Sequence, residues 1–286
     1  MEVINLPNYF KPDIPSPHYV YDYQSSIECM KQMVALQQNT FSFLIEGRKE
    51  VFADKTNITI ENSNFLLMKM GTCLMTEKPP TTLENYRSIL FFFSNKALLK
   101  FIQKNKIEHL KSCTNQSIYS FQYDDFLATF VQSLIQISKL ETQMQSKLLE
   151  LKFEELMTYL IETKGLDFIF SLLSNINSHT QHFNEIIEAN KLNKLTINEL
   201  AFLSNMSVSS FKREFEKQFK SSPSKWFQDQ RLEYAAFMLR SNSKRPSDIY
   251  EEVGYENLSN FIQAFKNKFG ITPKKYQLER TLITTF

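Results

Sequence analysis

Two short segments of the chain carry side chains suited to the edges of nucleic-acid bases. Ser209, Lys212 and Arg213 are spaced to fall on one face of a helix, and so are Ser259, Asn260 and Gln263. Arginine and lysine donate to guanine O6 and N7, whereas asparagine or glutamine pairs with adenine through two hydrogen bonds. The first triplet therefore suits guanine and the second adenine, with Leu258 and Ile262 offering apolar tips for a thymine methyl. Ser210, Lys217, Lys266 and Lys268, with the backbone amides at both helix N-termini, are placed for phosphates, which position a protein on DNA without specifying sequence.

A repeated core holds those faces outward. Phe211, Phe215, Phe219 and Pro223 recur as Phe261, Phe265, Phe269 and Pro273 at one fixed offset, the mark of a duplicated helical unit. Phenylalanine at every fourth position makes one apolar stripe that must be buried, so it dictates which face is left for a partner. In the first unit Thr196 caps a helix carrying Ile197, Leu200 and Ala201, Asn205 tolerates the left-handed turn, and Ser207 caps the next helix. Pro223 starts a linking helix that runs to Arg240. The second unit has a helix over 246–253, a turn at Gly254 and a helix capped by Asn257. Helix, tight turn and helix with a buried stripe is a helix-turn-helix, predicted at 196–219 and again at 246–269, joined by a helix at 223–240 within a domain spanning 183–284. One such pattern is common in protein cores. Two in register are specific, and they sit on the basic part of the chain: from Lys191 onward there are 16 Lys plus Arg against 10 Asp plus Glu, while residues 1–190 are net acidic.

The first half has a different period. Phe41, Phe43 and Ile45 alternate with Ser42, Leu44 and Glu46, further short alternating runs follow at polar turns, and residues 86–93 form an almost continuous apolar strand. This spacing predicts a small β-sandwich or barrel of about six to eight strands over 1–118, preceded by a proline-rich extended arm to about residue 25. Helices follow over 119–177. They either cover an open face of the sheet or pair with their copy in a homodimer, and the two roles are compatible. Residues 175–180 (Asn-Ile-Asn-Ser-His-Thr) are the linker candidate.

Other chemistry is poorly supported. Cys29, Cys73 and Cys113 are scattered, which fits reduced thiols and argues against both a disulfide framework and a reactive zinc thiolate. A cupin-type enzyme fused to a DNA-binding module is the alternative reading, but metal cupins need clustered histidines on strands, and His18, His109, His179 and His182 all fall outside the predicted ones. No metal, cofactor or catalytic residue is expected. The longest apolar run, 89–93, is too short to span a membrane and the first residues do not read as a signal peptide, so a cytoplasmic protein is expected.

The second half resembles the DNA-binding domain of the AraC/XylS family of bacterial transcription regulators over about 192–276. The family's linker-helix pattern R-x-x-x-A-x-x-L-L appears from Arg231 through Ala235 to Met238-Leu239, and its most diagnostic stretch appears as Glu251-Glu252-Val253-Gly254-Tyr255 through Phe261, Phe265-Lys266, Phe269-Gly270, Pro273 and Tyr276. Tyr250 and Pro246 depart from the usual alanine and isoleucine, which implies a later start and looser packing for the first helix of the second unit. Leu203 and Ser204 exchange the usual polar and apolar positions, which implies a slight rotation of the first unit's leading helix. The first half is similar to the family's regulatory domain, a cupin-like β-barrel followed by dimerisation helices, most of all in members that control secretion systems. The resemblance implies an α+β multidomain protein with two recognition helices in successive major-groove segments. It also implies a regulator, more an activator than a repressor, that works with double-stranded DNA and RNA polymerase as a homodimer. Its effector, a small molecule or a protein partner, is left open, and no residue of the first half is assigned to a ligand.

Overall fold

Strand pairing begins earlier in the chain than the prolines suggest. The structure, a computed structural model, describes residues 2–10, 16–53, 56–79, 85–107, 116–173, 179–241 and 244–281. Two strands lie within the stretch expected to be an arm, β1 (Ile4–Leu6) and β2 (His18–Ser25). Tyr19, Tyr21 and Tyr23 alternate along β2, a period-two signal that the neighbouring prolines masked. His18 is thus on a strand, contrary to expectation. His109 and Cys113 lie outside the described residues, as do most of the linker candidate and the side chains of His179 and His182.

Eight more strands follow: β3 (Cys29–Leu36), β4 (Asn39–Glu46), β5 (Arg48–Ala53), β6 (Thr56–Ile60), β7 (Asn64–Met68), β8 (Gly71–Lys78), β9 (Tyr86–Phe93) and β10 (Ile118–Gln122). They form two five-stranded sheets, ordered β1-β3-β8-β5-β6 and β10-β7-β4-β9-β2. The cupin-like domain therefore takes the form of two sheets facing each other across one apolar layer, and the strand pairing does not close them into a barrel.

The second sheet is covered on both faces, which explains its unusually apolar strands. In β9, Leu90 and Phe92 point between the sheets, while Ile89, Phe91 and Phe93 join Phe41, Phe43 and Phe65 in a separate layer under the helices. Those helices are α1 (Asn95–Lys104), α2 (Asp125–Ile137), α3 (Thr142–Lys164) and α4 (Asp167–Leu173). Ser94 caps α1 by accepting from the Ala97 amide, and Asp124 does the same for Leu127 at the start of α2. Leu149, Phe153, Leu156 and Leu160 of α3 are buried in the helix-covered layer, while Met144 and Leu151 are exposed on the same helix.

The chain divides into two compact units, Met1–His182 and Phe183–Phe286. The second holds two aromatic cores. Phe183 and Ile187 of α5 (His179–Asn190), Leu200 and Ala201 of α6 (Ile197–Leu203), Phe211 and Phe215 of α7 (Val208–Phe219) and Phe227 of α8 (Pro223–Ser241) make the first. Leu232, Ala235, Met238 and Leu239 of α8 make the second with Ile249 of α9 (Pro246–Ile249), Val253, and Phe261 and Phe265 of α10 (Leu258–Phe269). One helix thus serves both cores and couples the two units. Each buried phenylalanine contributes about 1.5–3 kcal/mol relative to exposure. The chain closes with α11 (Pro273–Thr281), where Tyr276 packs on Phe265 and Phe269 as Trp226 packs on Phe215 and Phe219.

Candidate nucleic-acid interface

The first helix-turn-helix is assembled by local hydrogen bonds that the sequence dictates. Thr196 and Glu199 form a reciprocal capping box at the start of α6. Asn205 adopts φ +53° in the turn, and Ser207 caps α7 by accepting from the Ser210 amide at 3.2 Å. Leu203 and Ser204 are both buried. The Ser204 hydroxyl satisfies itself on the Leu200 carbonyl at 2.8 Å, so the exchange of polar and apolar positions is absorbed within the helix.

The second unit follows the same plan with different parts. Asn257 caps α10 by accepting from the Asn260 amide at 2.8 Å, and the turn before it uses Gly254 at φ +88°. Its leading helix α9 starts at Pro246, with Arg245 as N-cap and Pro246 in the first turn, and ends at Ile249 instead of running to 253 as expected. Ile249 and Val253 are nonetheless buried, so a short helix and the turns after it supply the packing. Both recognition helices end on a left-handed residue, Lys220 at φ +53° and Gly270 at φ +78°.

On α7, Ser209, Lys212, Arg213 and Lys217 are exposed and Ser210 is half-buried, its Oγ accepting from the Ser207 hydroxyl at 3.0 Å. Lys217 stays open, its nearest acid being Glu214 at 3.8 Å. Glu216 is also exposed and lies one and two turns along from Lys212 and Ser209, placing an acceptor on the cationic face that suits a cytosine amino group. It went unassigned because an acid among lysines reads as charge balance.

On α10, Ser259, Asn260, Gln263 and Lys266 are exposed, whereas Leu258 and Ile262 are half-buried and Leu258 packs against the core. The Gln263 amide donates to Asn267 Oδ1 at 3.0 Å, so Asn267 orients it on the same face. Lys268 is held elsewhere: it bridges Asp229 and Glu233 of α8, both at 3.1 Å, and is only 19% exposed along its side chain. Its charge is neutralised against the linking helix, a contact between residues distant in sequence.

Arg231, on α8, is half-buried and makes no ion pair among the described residues. Its Nε is buried without a hydrogen-bond partner, and its stem lies where a side chain on Gly254 would point, 3.3 Å from an ideal Cβ. Burial pulls its guanidinium below the usual arginine range, and the nearby Tyr255 phenol opposes that. The linking helix is thereby wedged against the turn that aims α10.

The ExsA N-terminal regulatory domain matches residues 39–171 and a helix-turn-helix domain matches residues 200–279. The virulence regulon transcriptional activator VirF of Yersinia enterocolitica is 26% identical over 174 residues, 60% of this chain and 64% of its own length, so the chain spans less than two thirds of that relative. The regulator ExsA of Pseudomonas aeruginosa is 23% identical over 237 residues, 81% of this chain and 83% of its own. Among solved structures, an apo ToxT variant from Vibrio cholerae aligns over 92% of this chain and 97% of that chain at 12% identity, with a TM-score of 0.44. With two capped helix-turn-helix units on one linking helix and a regulatory domain built of facing sheets, the chain belongs to the AraC/XylS family of transcription regulators.

Proposed function

We propose that the chain is a sequence-specific DNA-binding activator of transcription whose two recognition helices enter successive major-groove segments of one asymmetric site. The observation that carries this reading is the pair of capped helices with core-locked stripes and unlike outward faces. Ser209, Lys212 and Arg213 read the half facing α7, with Glu216 as a further acceptor. Ser259, Asn260 and Gln263 read the half facing α10. Lys217 and Lys266 engage phosphates, Ser210, Leu258 and Ile262 sit at the margins of the reading faces, and Lys268 is a structural tether to α8 instead of a phosphate contact.

The relatives VirF and ExsA are named as a transcriptional activator and a transcriptional regulator, which supports the activator reading; RNA polymerase as a partner, a cytoplasmic location and no enzymatic activity of its own belong to the same proposal. Homodimerisation through α3 is supported by the exposure of Met144 (55%) and Leu151 (63%) on a helix whose opposite face is already committed to the core. Selection of bound sequences from a random DNA library, followed by footprinting, tests the DNA reading. Two protected major-groove segments about one helical turn apart, with unlike sequences, are expected. A single protected segment, or a perfect palindrome read by one helix alone, would overturn it.

A further inference from the structure

The layer between the two sheets contains a polar cluster that a purely structural core has no use for. Lys49 of β5 and Glu77 of β8 are direct cross-strand partners whose side chains point inward, and Lys49 is only 1% exposed. The Lys49 ammonium donates to Glu77 Oε1 at 3.0 Å and, across the sandwich, to Ser42 Oγ of β4 at 3.1 Å. Tyr86 and Ser88 of β9 also face this layer, both fully buried. The Tyr86 hydroxyl lies near Glu77 and Ser88, yet neither it nor the Ser88 hydroxyl makes a hydrogen bond of normal geometry. Burial, with Glu77 beside it, holds the Tyr86 phenol well above its ordinary range. Replacing a buried ion pair by aliphatic side chains is often neutral or stabilising, so holding the sheets together does not account for this arrangement.

A cavity of about 120 Å³ adjoins the pair. Its walls are largely apolar, with Leu36, Met68, Met75 and Leu90 among them, and Lys49 and Glu77 are its charged members. We propose that this cavity binds a small neutral molecule close to benzene in size, whose apolar body fills the space and whose one hydroxyl or amide group hydrogen-bonds to the Lys49–Glu77 pair. The size follows from the volume, since a cavity of roughly 150 Å³ accommodates benzene. Neutrality follows from the charges: the pair already cancels, and an ionised ligand would leave a net charge beside two buried, mutually neutralised groups. A hydroxyl or amide follows from the pair itself, because the ammonium offers a proton and the carboxylate accepts one. This goes beyond the DNA-binding reading and concerns the first unit alone. Its test contains no DNA, so its failure is distinguishable from failure of the DNA-binding reading.

The experiment is isothermal titration calorimetry of the full chain with phenol, benzamide, toluene and benzoate. Saturable one-site binding of phenol or benzamide is expected, at least tenfold tighter than toluene or benzoate. Val34→Phe, which fills the cavity from its wall, abolishes that binding while circular dichroism reports an unchanged fold. The Lys49→Met, Glu77→Met double variant, which keeps the volume and removes the charges, lowers phenol to the affinity of toluene and serves if Val34→Phe fails to fold. The proposal is overturned if phenol and benzamide both fail to saturate, if toluene matches them, if benzoate binds more tightly, or if both variants leave phenol binding intact.

Discussion

Gly254 and Gly270 offer a matched pair for measuring what positions α10. Both have positive φ, +88° and +78°, so alanine at either must adopt a left-handed conformation costing about 1–2 kcal/mol. Restricting the unfolded chain returns about 0.4–1 kcal/mol of that. Around Gly270 nothing lies within 4 Å of an ideal Cβ, so Gly270→Ala should cost the conformational remainder alone, about 0.5–1 kcal/mol. At Gly254 the added methyl meets Arg231 Cδ at 3.3 Å and Nε at 3.4 Å. The arginine must leave its rotamer, at about 0.5–1.5 kcal/mol, so Gly254→Ala should exceed Gly270→Ala by about 1 kcal/mol. Trp226 is the single tryptophan and packs in the unit that contains both glycines, so its fluorescence during urea unfolding reports the right transition. Shortening Arg231 to alanine should erase the difference between the two variants, a coupling read directly from a double-mutant cycle. In a footprint, Gly254→Ala should weaken the half-site facing α10 before the one facing α7. Equal destabilisation by the two alanines, or a difference that persists without Arg231, would refute the wedge.

The remaining predictions concern affinity and pH. Arg213→Ala should weaken binding to the selected site by about 1–3 kcal/mol and relax preference at one base pair, measured by fluorescence anisotropy on single-base variants; unchanged affinity would remove Arg213 from the reading face. Lys266→Ala should reduce the dependence of log affinity on log salt by about one contact, whereas Lys268→Ala should leave that slope unchanged and lower the unfolding midpoint instead. A slope changed only by Lys268→Ala would reverse the assignment. His18 is 6% exposed, and burial lowers its pKa from about 6.5 to about 4, with Glu150 and Lys100 acting in opposite directions. The folded pKa lies below the unfolded one, so the unfolded chain takes up the proton first. Stability should be unaffected above about pH 6.5 and fall by about 3 kcal/mol as pH drops to about 4. Chemical denaturation of His18→Phe across that window should lack this component, and parallel curves would show that the histidine is not its source.

The parts of the site legible in the sequence are those fixed by neighbours a few residues away. Thr196, Ser207 and Asn257 cap the helices expected of them, and Phe211, Phe215, Phe261 and Phe265 are fully buried, because capping and stripe formation act within two turns. Strand β9 was equally plain, since burial on both faces leaves a run of Ile-Leu-Phe-Phe-Phe. What escaped depends on partners far along the chain. Lys268 read as a phosphate contact because Asp229 and Glu233 come to it only through packing of α10 on α8. Lys49 carries no signal of burial in the sequence, since its reason for being buried, Glu77, sits on another strand. Strand β3 went unnoticed because its alternation is weak.

The duplication explains why one scaffold can read two different sequences. Core positions keep their register: Phe211 with Phe261, Phe215 with Phe265, Trp226 with Tyr276, and left-handed caps at Lys220 and Gly270. The four phenylalanines are fully buried, so they transmit geometry and no specificity. The outward positions diverge freely because changing them disturbs no packing. Lys212, Arg213 and Lys217 give the first helix a cationic face moderated by Glu216, while the second carries Asn260 and Gln263 with one exposed lysine, Lys266, its other lysine, Lys268, being turned back onto the linking helix. On the proposed reading, attraction to phosphates is therefore stronger at α7, and hydrogen bonding to bases dominates on α10. On that reading α7 holds the backbone as well as reading bases, while α10 mainly tests sequence. Reversing the site would exchange those roles, and so the orientation of binding is fixed by the chain itself.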